Sequence, residues 1–405
     1  MKNICIVSAG ILPIPDVKGG AVERLITMIA ECNEKTQKFN ITVITCPDKD
    51  AIDIQSKYQN TKFINLKPYN SLKLKKYCDK IDWHLKKWFN ISINFVSSLY
   101  SPVNRYLLQN YNKYDLIIGE CAGTDFCSTP SILFGNIKFV IHLHANVKAT
   151  KTLEKTYGNV FCVSDFIKEQ YMETSCLSHN RIYTIFNGID TSKFMKTIEL
   201  NQRKELRNKL GICESDFVVI FCGRIVSDKG VLELISAIER INNPEIKLLI
   251  LGSSNFGLGD MGEYPTIVKQ KVEQNTERII FTGYINNSDV YLYHKISDIG
   301  VVPSMHNDPC PLTLFEMITS GLPTIATKAG GMPEIGNNDT TIYVSMNNII
   351  PELKNAIVKL YNDKDLRTKM SKSAKIRSID FKQERFYNDF CDTVDKIIKL
   401  NNYDK

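Results

Sequence analysis

Residues 302–335, VPSMHNDPCPLTLFEMITSGLPTIATKAGGMPEI, decide the fold of this chain. The apolar residues 299–302 predict a strand that runs into a polar loop. A helix is predicted over residues 311–320, because Gly321 and Pro323 favour its end. The free N–H groups and the dipole at a helix N-terminus attract anions. The stretch therefore predicts a strand, a loop and a helix whose start can bind an anion.

Two carboxylates belong to this stretch. Asp308 precedes the predicted helix, and Glu316 lies about one and a half turns inside it. A second glycine loop, Gly330-Gly331, precedes another predicted helix start at Pro333. Two helix starts and two carboxylates indicate a pocket for a nucleotide sugar. The alternative, in which Asp308 only caps the helix and the apolar residues only fill a core, stays open on spacing alone.

The composition is that of a soluble globular protein. The 405 residues suffice for two domains, and 43% are hydrophobic and 23% charged. We find no run of about twenty apolar residues and no signal-peptide pattern at the N-terminus, so we expect a cytoplasmic protein. The 12 cysteines lack metal-type pairing, and several fall in apolar strands, which fits a reducing compartment.

Short apolar segments alternate with helical segments in both halves of the chain. Strands are predicted over residues 3–9, 41–46, 116–119, 139–143, 160–163 and 182–185, and again over residues 217–222, 247–251, 279–281, 299–302, 324–327 and 341–344. This α/β pattern predicts two doubly wound, Rossmann-like domains with parallel sheets. We place the N-terminal domain at residues 1–195, the C-terminal domain at residues 196–380, and a final helix at residues 381–405. The tail from residue 350 to residue 401 is predicted to be entirely helical, and whether its last helix docks on the N-terminal domain stays open.

Glycines and basic residues follow the first predicted strand of each half. Gly19 and Gly20 precede a helix in VKGGAVERL, where backbone N–H groups can approach a phosphate or a sugar. Gly223, Arg224 and Lys229 follow the strand FVVIFC, at the sheet edge where such folds bind ligands. The two cations predict a diphosphate site. A plain loop and solvated charges are the alternatives.

His142 and His144 belong to the strand-like segment FVIHLHA. We expect their side chains to point to opposite faces of the sheet unless the strand ends before His144. We assign His144, which is nearer the loop, to a ligand and His142 to a structural role, and the choice between them stays open.

A basic segment with interleaved aromatics begins at Lys62 and ends at Lys87, with eight lysines against two aspartates. Such a segment suits an anionic membrane surface, and a solvated lysine-rich surface is the alternative. Nucleic acid is not expected as a partner, because no recognised binding motif accompanies the lysines.

Taken together, the chain resembles the retaining glycosyltransferases of family 4, which have the two-domain GT-B fold with a cleft. The resemblance rests on KGGAVERL, VSDFIKEQY, FNGIDTSKF, CGRIVSDKGV, FTGYI and the opening stretch, in which an acid, seven residues and a glutamate run from Asp308 to Glu316.

The resemblance implies a role for each matched residue. Arg224 and Lys229 bind the donor diphosphate, Glu316 holds the ribose, and Asp308 contacts hydroxyls of the donor sugar. Gly20 belongs to the glycine loop near phosphate and acceptor, and His144 is the donor-sugar histidine. We therefore expect the catalytic residues to be His144, Arg224, Lys229 and Asp308. We expect the substrate-binding residues to be Gly19, Gly20, Gly223, Arg224, Lys229, Gly252, Tyr284, Asp308, Leu312, Thr313 and Glu316.

Three departures from the family pattern stand in the same motifs. Asp308 replaces the usual glutamate, which predicts an altered choice of sugar. Cys310 and Pro311 replace phenylalanine and glycine, so one backbone N–H is absent where donor phosphates bind. The segment LLILGSS keeps Gly252 but lacks the second glycine, which leaves recognition of the base open.

The resemblance implies a retaining, metal-independent hexosyltransferase with no cofactor. Its donor would be a nucleotide-diphosphate sugar, with UDP favoured, and its acceptor a glycan or a lipid-linked sugar in cell-surface polysaccharide synthesis. We expect it in the cytoplasm, with peripheral contact to the inner face of the membrane. A sugar-nucleotide epimerase, a phosphorylase of similar fold and a non-catalytic nucleotide-sugar-binding protein are the alternatives.

Overall fold

The computed structural model describes residues 1–67, 100–120, 128–254 and 262–403. The chain forms two compact units. The first comprises Met1–Phe186 together with Phe386–Lys405, and the second comprises Asn187–Arg385.

The first unit is built on a seven-stranded parallel sheet. Its strands are β1 (Lys2–Val7), β2 (Phe39–Thr45), β3 (Thr61–Asn65), β4 (Leu116–Glu120), β5 (Phe139–Leu143), β6 (Asn159–Cys162) and β7 (Ile182–Thr184), in the spatial order β3-β2-β1-β4-β5-β6-β7. Ile4 pairs with Ile41 on one side and Leu116 on the other. All three are buried, as parallel strands covered on both faces require. The strand order reverses between β1 and β4, and such a point is where doubly wound sheets bind ligands.

Helices cover this sheet, and one of them comes from the end of the chain. They are Ala21–Thr36, Lys49–Gln55, Tyr100–Asn110, Ser128–Phe134, Lys151–Thr156, Asp165–Met172 and Gln383–Tyr403. In the last of these, Phe386 and Phe390 are fully buried. The hydroxyl of Tyr387 donates to Asn33 Oδ1 at 2.9 Å, and Asn401 Nδ2 donates to the carbonyl of Ile137 at 2.9 Å.

The second unit is built on a six-stranded parallel sheet. Its strands are β8 (Phe217–Cys222), β9 (Ile246–Leu251), β10 (Ile279–Gly283), β11 (Ile299–Val302), β12 (Thr324–Thr327) and β13 (Thr341–Val344), in the order β10-β9-β8-β11-β12-β13. The order reverses between β8 and β11. The loops after these two strands therefore flank the ligand crevice expected of this unit.

The helices of the second unit bury a continuous apolar core against its sheet. They are Thr191–Met195, Leu200–Lys209, Val231–Glu239, Glu263–Glu273, Val290–Lys295, Leu312–Thr319, Met332–Ile335, Ile349–Asn362 and Lys364–Arg377. Arg207 is fully buried, and its guanidinium donates to the carbonyls of Ile296, Cys213 and Asp216 at 2.8, 2.8 and 2.5 Å. Three carbonyl acceptors compensate the burial of that charge.

The architecture confirms the predicted fold class of two Rossmann-like parallel sheets with a helical C-terminal tail. The predicted helical tail consists of successive helices: Asp363 follows the helix Ile349–Asn362 and caps the next, accepting from the N–H of Leu366 at 2.8 Å. Strand β3 was not predicted, and it overlaps the start of the basic segment.

Most of the segment from Lys62 to Lys87 lies outside the described residues, which end at Lys67 on this side. Among the helices that the structure describes, none combines the length and the apolar character needed to cross a membrane.

Candidate active site

Glycines line the end of the second sheet, immediately beyond three neighbouring strands. Gly252 has φ of 150°, and a Cβ there would lie 1.8 Å from the carbonyl oxygen of Gly223. The N–H of Gly252 donates to the carbonyl of Gly283 at 2.9 Å, and that of Gly223 to Leu251 at 3.0 Å. The predicted residues Gly223 and Gly252 are thus packed backbone to backbone, which only glycine permits at residue 252.

Lys229 and Asp308, which are 79 residues apart in sequence, form an ion pair. Lys229 ends the 3₁₀ turn Ser227–Lys229 after β8, and Asp308 lies in the loop after β11. The Asp308 side chain is 7% exposed and that of Lys229 is 22% exposed. Ser304 Oγ donates to the same carboxylate oxygen, Oδ2, at 3.5 Å, and His306 Nε2 lies 3.8 Å from it. The structure therefore places both predicted residues in the crevice where the strand order reverses.

Backbone contacts lock the two loops together. The N–H of Met305 donates to the carbonyl of Asp228 at 2.8 Å. Gly230 has φ of 70°, and a Cβ there would lie 2.0 Å from the carbonyl oxygen of Pro303. These contacts fix the positions from which Lys229 and Asp308 approach each other.

The Gly330-Gly331 loop supports Asp308 from the other side. The N–H of Gly331 donates to the carbonyl of Asp308 at 2.9 Å. Gly330 has φ of 58°, and a Cβ there would lie 2.1 Å from the same carbonyl oxygen. The helix that follows, Met332–Ile335, has only four residues, so the second predicted helix start is better described as a support for Asp308 than as an anion site.

The helix Leu312–Thr319 begins one residue later than predicted, with Pro311 as its N-cap. The carbonyl of Pro311 accepts from the N–H of Leu314 at 3.1 Å. The N–H that proline lacks therefore belongs to the cap position, while Leu312 and Thr313 keep the first-turn N–H groups that a helix leaves for a ligand. Cys310 is buried, burial raises the pKa of its thiol, and its carbonyl accepts from Asn187 Nδ2 at 3.2 Å.

Three further predicted residues occupy the same edge of the sheet. Glu316 is half-buried in the helix Leu312–Thr319, and its charge adds to burial in raising the pKa of Cys222 at the end of β8. Arg224 is exposed two residues beyond β8, and Tyr284 is 40% exposed just beyond β10. Their roles toward a ligand stay predictions.

The glycine loop of the first unit leads into the helix Ala21–Thr36. Gly19 and Gly20 have φ of 80° and 99°, and a Cβ on Gly20 would lie 2.2 Å from Glu23 Oε2. Glu23 is 6% exposed, and burial raises the pKa of its carboxyl to about 7, with further increase from the charges of Asp16 and Glu120. Sequence reasoning missed Glu23, although it stands three residues after the glycine pair in KGGAVERL.

The expectation that His142 and His144 face opposite sides of the sheet was wrong. Residues two apart on a strand point to the same face, and β5 ends at Leu143 between them. Both rings contact the buried carboxylate of Glu120: His142 Nδ1 lies 2.9 Å and His144 Nε2 2.6 Å from Glu120 Oε2. Glu120 pairs with His142 across β4 and β5, so its side chain shares their face.

Glu120 is a second residue that sequence reasoning missed. The available signal was its position directly after the predicted strand 116–119, which precedes the strand of the histidines in the sequence. Spacing along the chain also predicted no cluster of metal ligands, whereas Glu120, His142 and His144 offer ligand atoms that lie within 4.8 Å of one another.

Comparison with known proteins finds a family match within the second unit. Residues 202–377 match the family model described as "Glycosyl transferases group 1". The chain is 21% identical over 352 residues to spore coat protein SA of Bacillus subtilis, which is 82% of each chain. It is 24% identical over 303 residues to an Escherichia coli UDP-Gal:alpha-D-GlcNAc-diphosphoundecaprenol alpha-1,3-galactosyltransferase, which is 70% of this chain and 76% of that one. It is 26% identical over 230 residues to the Salmonella typhimurium lipopolysaccharide 1,2-N-acetylglucosaminetransferase, which is 55% of this chain and 58% of that one.

Solved structures share the fold over almost the whole chain. Anabaena Alr3699/HepE in complex with UDP-glucose superposes with a TM-score of 0.74 at 18% identity, covering 98% of this chain and 100% of that chain. Sucrose-phosphate synthase from Thermosynechococcus elongatus gives a TM-score of 0.76 at 19% identity, covering 99% and 100%. These likenesses confirm the GT-B fold class, and the family match confirms the predicted resemblance at the level of group 1.

Proposed function

We propose, from the match of residues 202–377 to the group 1 glycosyltransferases, that this chain transfers a sugar from a nucleotide-diphosphate donor to a glycan or lipid-linked acceptor. The observation that carries the proposal is the Lys229–Asp308 pair in the crevice between β8 and β11, beside the start of the helix Leu312–Thr319. This part of a doubly wound sheet is where nucleotides bind.

The chemistry follows from the charge that the reaction develops. When the bond between sugar and diphosphate breaks, negative charge accumulates on the leaving diphosphate. Lys229, Arg224 and the first-turn N–H groups of Leu312 and Thr313 would stabilise that charge. We propose that these cationic and N–H groups carry out this stabilisation without a cofactor.

The remaining roles come from the family resemblance. Glu316 would hold the ribose, and Asp308 would contact donor sugar hydroxyls while it keeps Lys229 in place. In the retaining reaction that we propose, the acceptor hydroxyl attacks the same face of the sugar that the diphosphate leaves. The leaving phosphate takes the proton of that hydroxyl. No protein nucleophile is then required.

UDP is the favoured nucleotide, since solved structures of the same fold contain UDP or UDP-glucose. A lipid-linked acceptor is supported by similarity to the galactosyltransferase named above, whose acceptor is a diphosphoundecaprenol sugar. Cell-surface polysaccharide synthesis in the cytoplasm is the corresponding proposal for its role and location.

An acceptor of that kind would lie at a membrane, and the lysines between Lys62 and Lys87 would favour an anionic surface. We expect anionic vesicles to retain the protein at low salt and to release it as salt rises, while neutral vesicles do not retain it. Failure of anionic vesicles to retain the protein even at low salt would contradict membrane contact.

Transfer is tested with Lys229→Ala and Glu316→Gln, using UDP-sugars and a polyprenyl-diphosphate sugar acceptor. Each variant should lose about 100-fold or more of the acceptor-dependent release of UDP, as removal of an electrostatic transition-state group typically does. Lys359→Ala, which removes an exposed lysine of the same unit, is the matched control. Circular dichroism should show that all three variants are folded.

The alternatives have distinct outcomes in the same assay. An epimerised donor would support an epimerase, and a requirement for inorganic phosphate would support a phosphorylase. Tight donor binding without turnover across many acceptors would support a non-catalytic binding protein. Near-normal turnover in both variants would contradict the assigned site.

A further inference from the structure

The carboxylate of Glu120 lies between two histidines at the carboxyl ends of β4 and β5. Glu120 and His142 are each 1% exposed, and the side chain of His144 is 7% exposed. Glu120 ends β4, one of the two strands between which the order of the first sheet reverses, and the histidines lie at the end of the neighbouring strand β5. Such a reversal point is where a doubly wound unit binds its ligand. The proposed reaction assigns no role to Glu120.

Both imidazoles meet the same atom of that carboxylate, Oε2. His144 Nε2 lies 2.6 Å from it with the geometry of a hydrogen bond, and His142 Nδ1 lies 2.9 Å from it. Two ligands of one tetrahedral zinc ion are about 3.3 Å apart, given metal–ligand bonds of about 2.0 to 2.1 Å. The two nitrogen–oxygen distances are shorter than that, and His144 Nε2 forms a hydrogen bond with Glu120 Oε2, which favours a hydrogen-bonded arrangement over a preformed metal site.

The charges on the pair agree with that assignment. Burial alone would raise the pKa of Glu120, but the charge of His142 and the hydrogen bond from His144 lower it to about 2, so the carboxylate is ionised. Burial and the charge of His142 lower the pKa of His144, so its ring is neutral near pH 7. A neutral ring has one N–H, and an ionised carboxylate can only accept it.

We propose that Glu120 is a positioning residue that holds His144 in the tautomer with its proton on Nε2. The other ring nitrogen, Nδ1, is thereby fixed as a hydrogen-bond acceptor for a hydroxyl group of a sugar substrate. The hydrogen bond from Nε2 to Glu120 keeps the proton on Nε2, and this leaves Nδ1 without a proton.

The surroundings of His142 fit a supporting role for that residue. Its ring lies 4.2 Å from the ring of His144 at a tilt of 46°, and it meets the edge of Phe161 at 5.7 Å, with distances between centroids. His142 therefore packs against the His144 ring on one side. The substrate-facing choice between the two histidines falls on His144, the more exposed one.

This inference deepens the proposed function and rests on it only for the identity of the ligand. The tautomer is measured directly by nitrogen-15 NMR of protein labelled at histidine, with His144 assigned from a His144→Gln variant. We expect Nε2 to show the shift of a protonated ring nitrogen and Nδ1 that of an unprotonated one. In Glu120→Gln the preference should weaken, and in Glu120→Asp it should be partly retained. A proton on Nδ1 in the wild-type protein would overturn the inference.

Kinetics provide a second readout. We expect Glu120→Gln to lower kcat about 10- to 100-fold, as the loss of a ring-orienting partner does, with partial rescue by Glu120→Asp. KM values measured separately for donor and acceptor then show which substrate provides the hydroxyl, since only that KM should rise. Unchanged kcat together with a lower melting temperature would reduce Glu120 to a structural residue and overturn the inference.

Two further outcomes separate this inference from its premise. A stoichiometric metal ion, held by the wild type and lost in Glu120→Gln, would overturn the hydrogen-bonded assignment in favour of a metal site. Absence of transfer with every donor, combined with the expected NMR tautomer, would contradict the proposed function while leaving the role of Glu120 intact.

Discussion

Three buried carboxyl groups of this protein have different partners and therefore different chemistry. Asp308 is paired with Lys229, and Glu120 is paired with two histidines. Glu23 lies against the glycine loop, where burial raises the pKa of its carboxyl to about 7. The residue type alone would predict three ordinary anions, whereas burial places the titration of Glu23 near neutral pH.

The raised pKa of Glu23 predicts a pH dependence of stability. Below pH 4.5 the Glu23 carboxyl is protonated in both the folded and the unfolded chain, and its contribution to the free energy of unfolding is fully present. As pH rises from 4.5 to about 7 the unfolded chain ionises first, so that contribution is lost. The increase in the pKa of Glu23 corresponds to a loss of about 3 kcal/mol at most in the free energy of unfolding.

Glu23→Gln cannot ionise and should avoid this loss. We expect urea unfolding to show that the free energy of unfolding of the variant, relative to that of the wild type, is about 1 to 3 kcal/mol higher at pH 8 than at pH 5. Glu205→Gln, at an exposed site in the second unit, serves as the control. The same difference between variant and wild type at both pH values would contradict the prediction.

At the residue scale, sequence predicted those side chains that follow a strand within a recognisable motif. Lys229, Asp308 and Glu316 stand at the predicted edge of the second sheet. Glu120 and Glu23 could not be predicted in the same way, because their importance comes from burial and from neighbours on another strand or loop. Their pKa values depend on those three-dimensional contacts.

At the scale of elements, glycines allow the loops of the second unit to pack closely against one another. Gly330 and Gly230 each lie where a Cβ would meet a carbonyl oxygen of a neighbouring loop. The consequence is that the position of Asp308 depends on a glycine 22 residues later in the chain, and not only on its own loop.

Gly330→Ala should therefore lower the free energy of unfolding by more than the positive φ of residue 330 alone explains. Gly211 has a similar φ of 69° but open space around a Cβ, so Gly211→Ala measures the cost of conformation alone. We expect Gly330→Ala to lose about 1 to 3 kcal/mol more than Gly211→Ala in urea unfolding, because the Asp308 loop must shift. Equal losses in the two variants would show that this contact carries no strain.

Most strands could be predicted because parallel strands buried on both faces are continuous apolar runs. The bounds of β5, β8, β11, β12 and β13 agree with the prediction. Strand β3 was missed because its polar and basic residues lack such a run, and it lies at the edge of the sheet. The break at Asp363 was missed because the pattern of a helix continues on both sides of it.

At the scale of the whole molecule, the last helix belongs to the unit formed by the first 186 residues. Phe390 is fully buried and packs edge-on against Phe161, with ring centroids 6.3 Å apart. Sequence indicated that this helix has an apolar face, but a periodic pattern does not identify the surface that covers it.

Phe390→Ala should destabilise the first unit selectively. Removal of a buried phenylalanine typically costs about 3 to 5 kcal/mol. Hydrogen exchange should therefore accelerate in β1 to β7 while β8 to β13 keep their protection. Ile376→Ala, which truncates a side chain that is 70% exposed, is the control. Equal acceleration in both sheets would contradict this assignment of the helix.

The return of the last helix to the first unit also affects the order of events during synthesis. The second unit is formed by one continuous segment, Asn187–Arg385, which leaves the ribosome before residues 386–403 do. The first unit is translated first, yet it lacks Phe386, Tyr387 and Phe390 until the whole of the second unit has been translated. The apolar surface that this helix covers stays exposed until then, so we expect the second unit to complete its fold first, against the usual N-to-C order of domain folding.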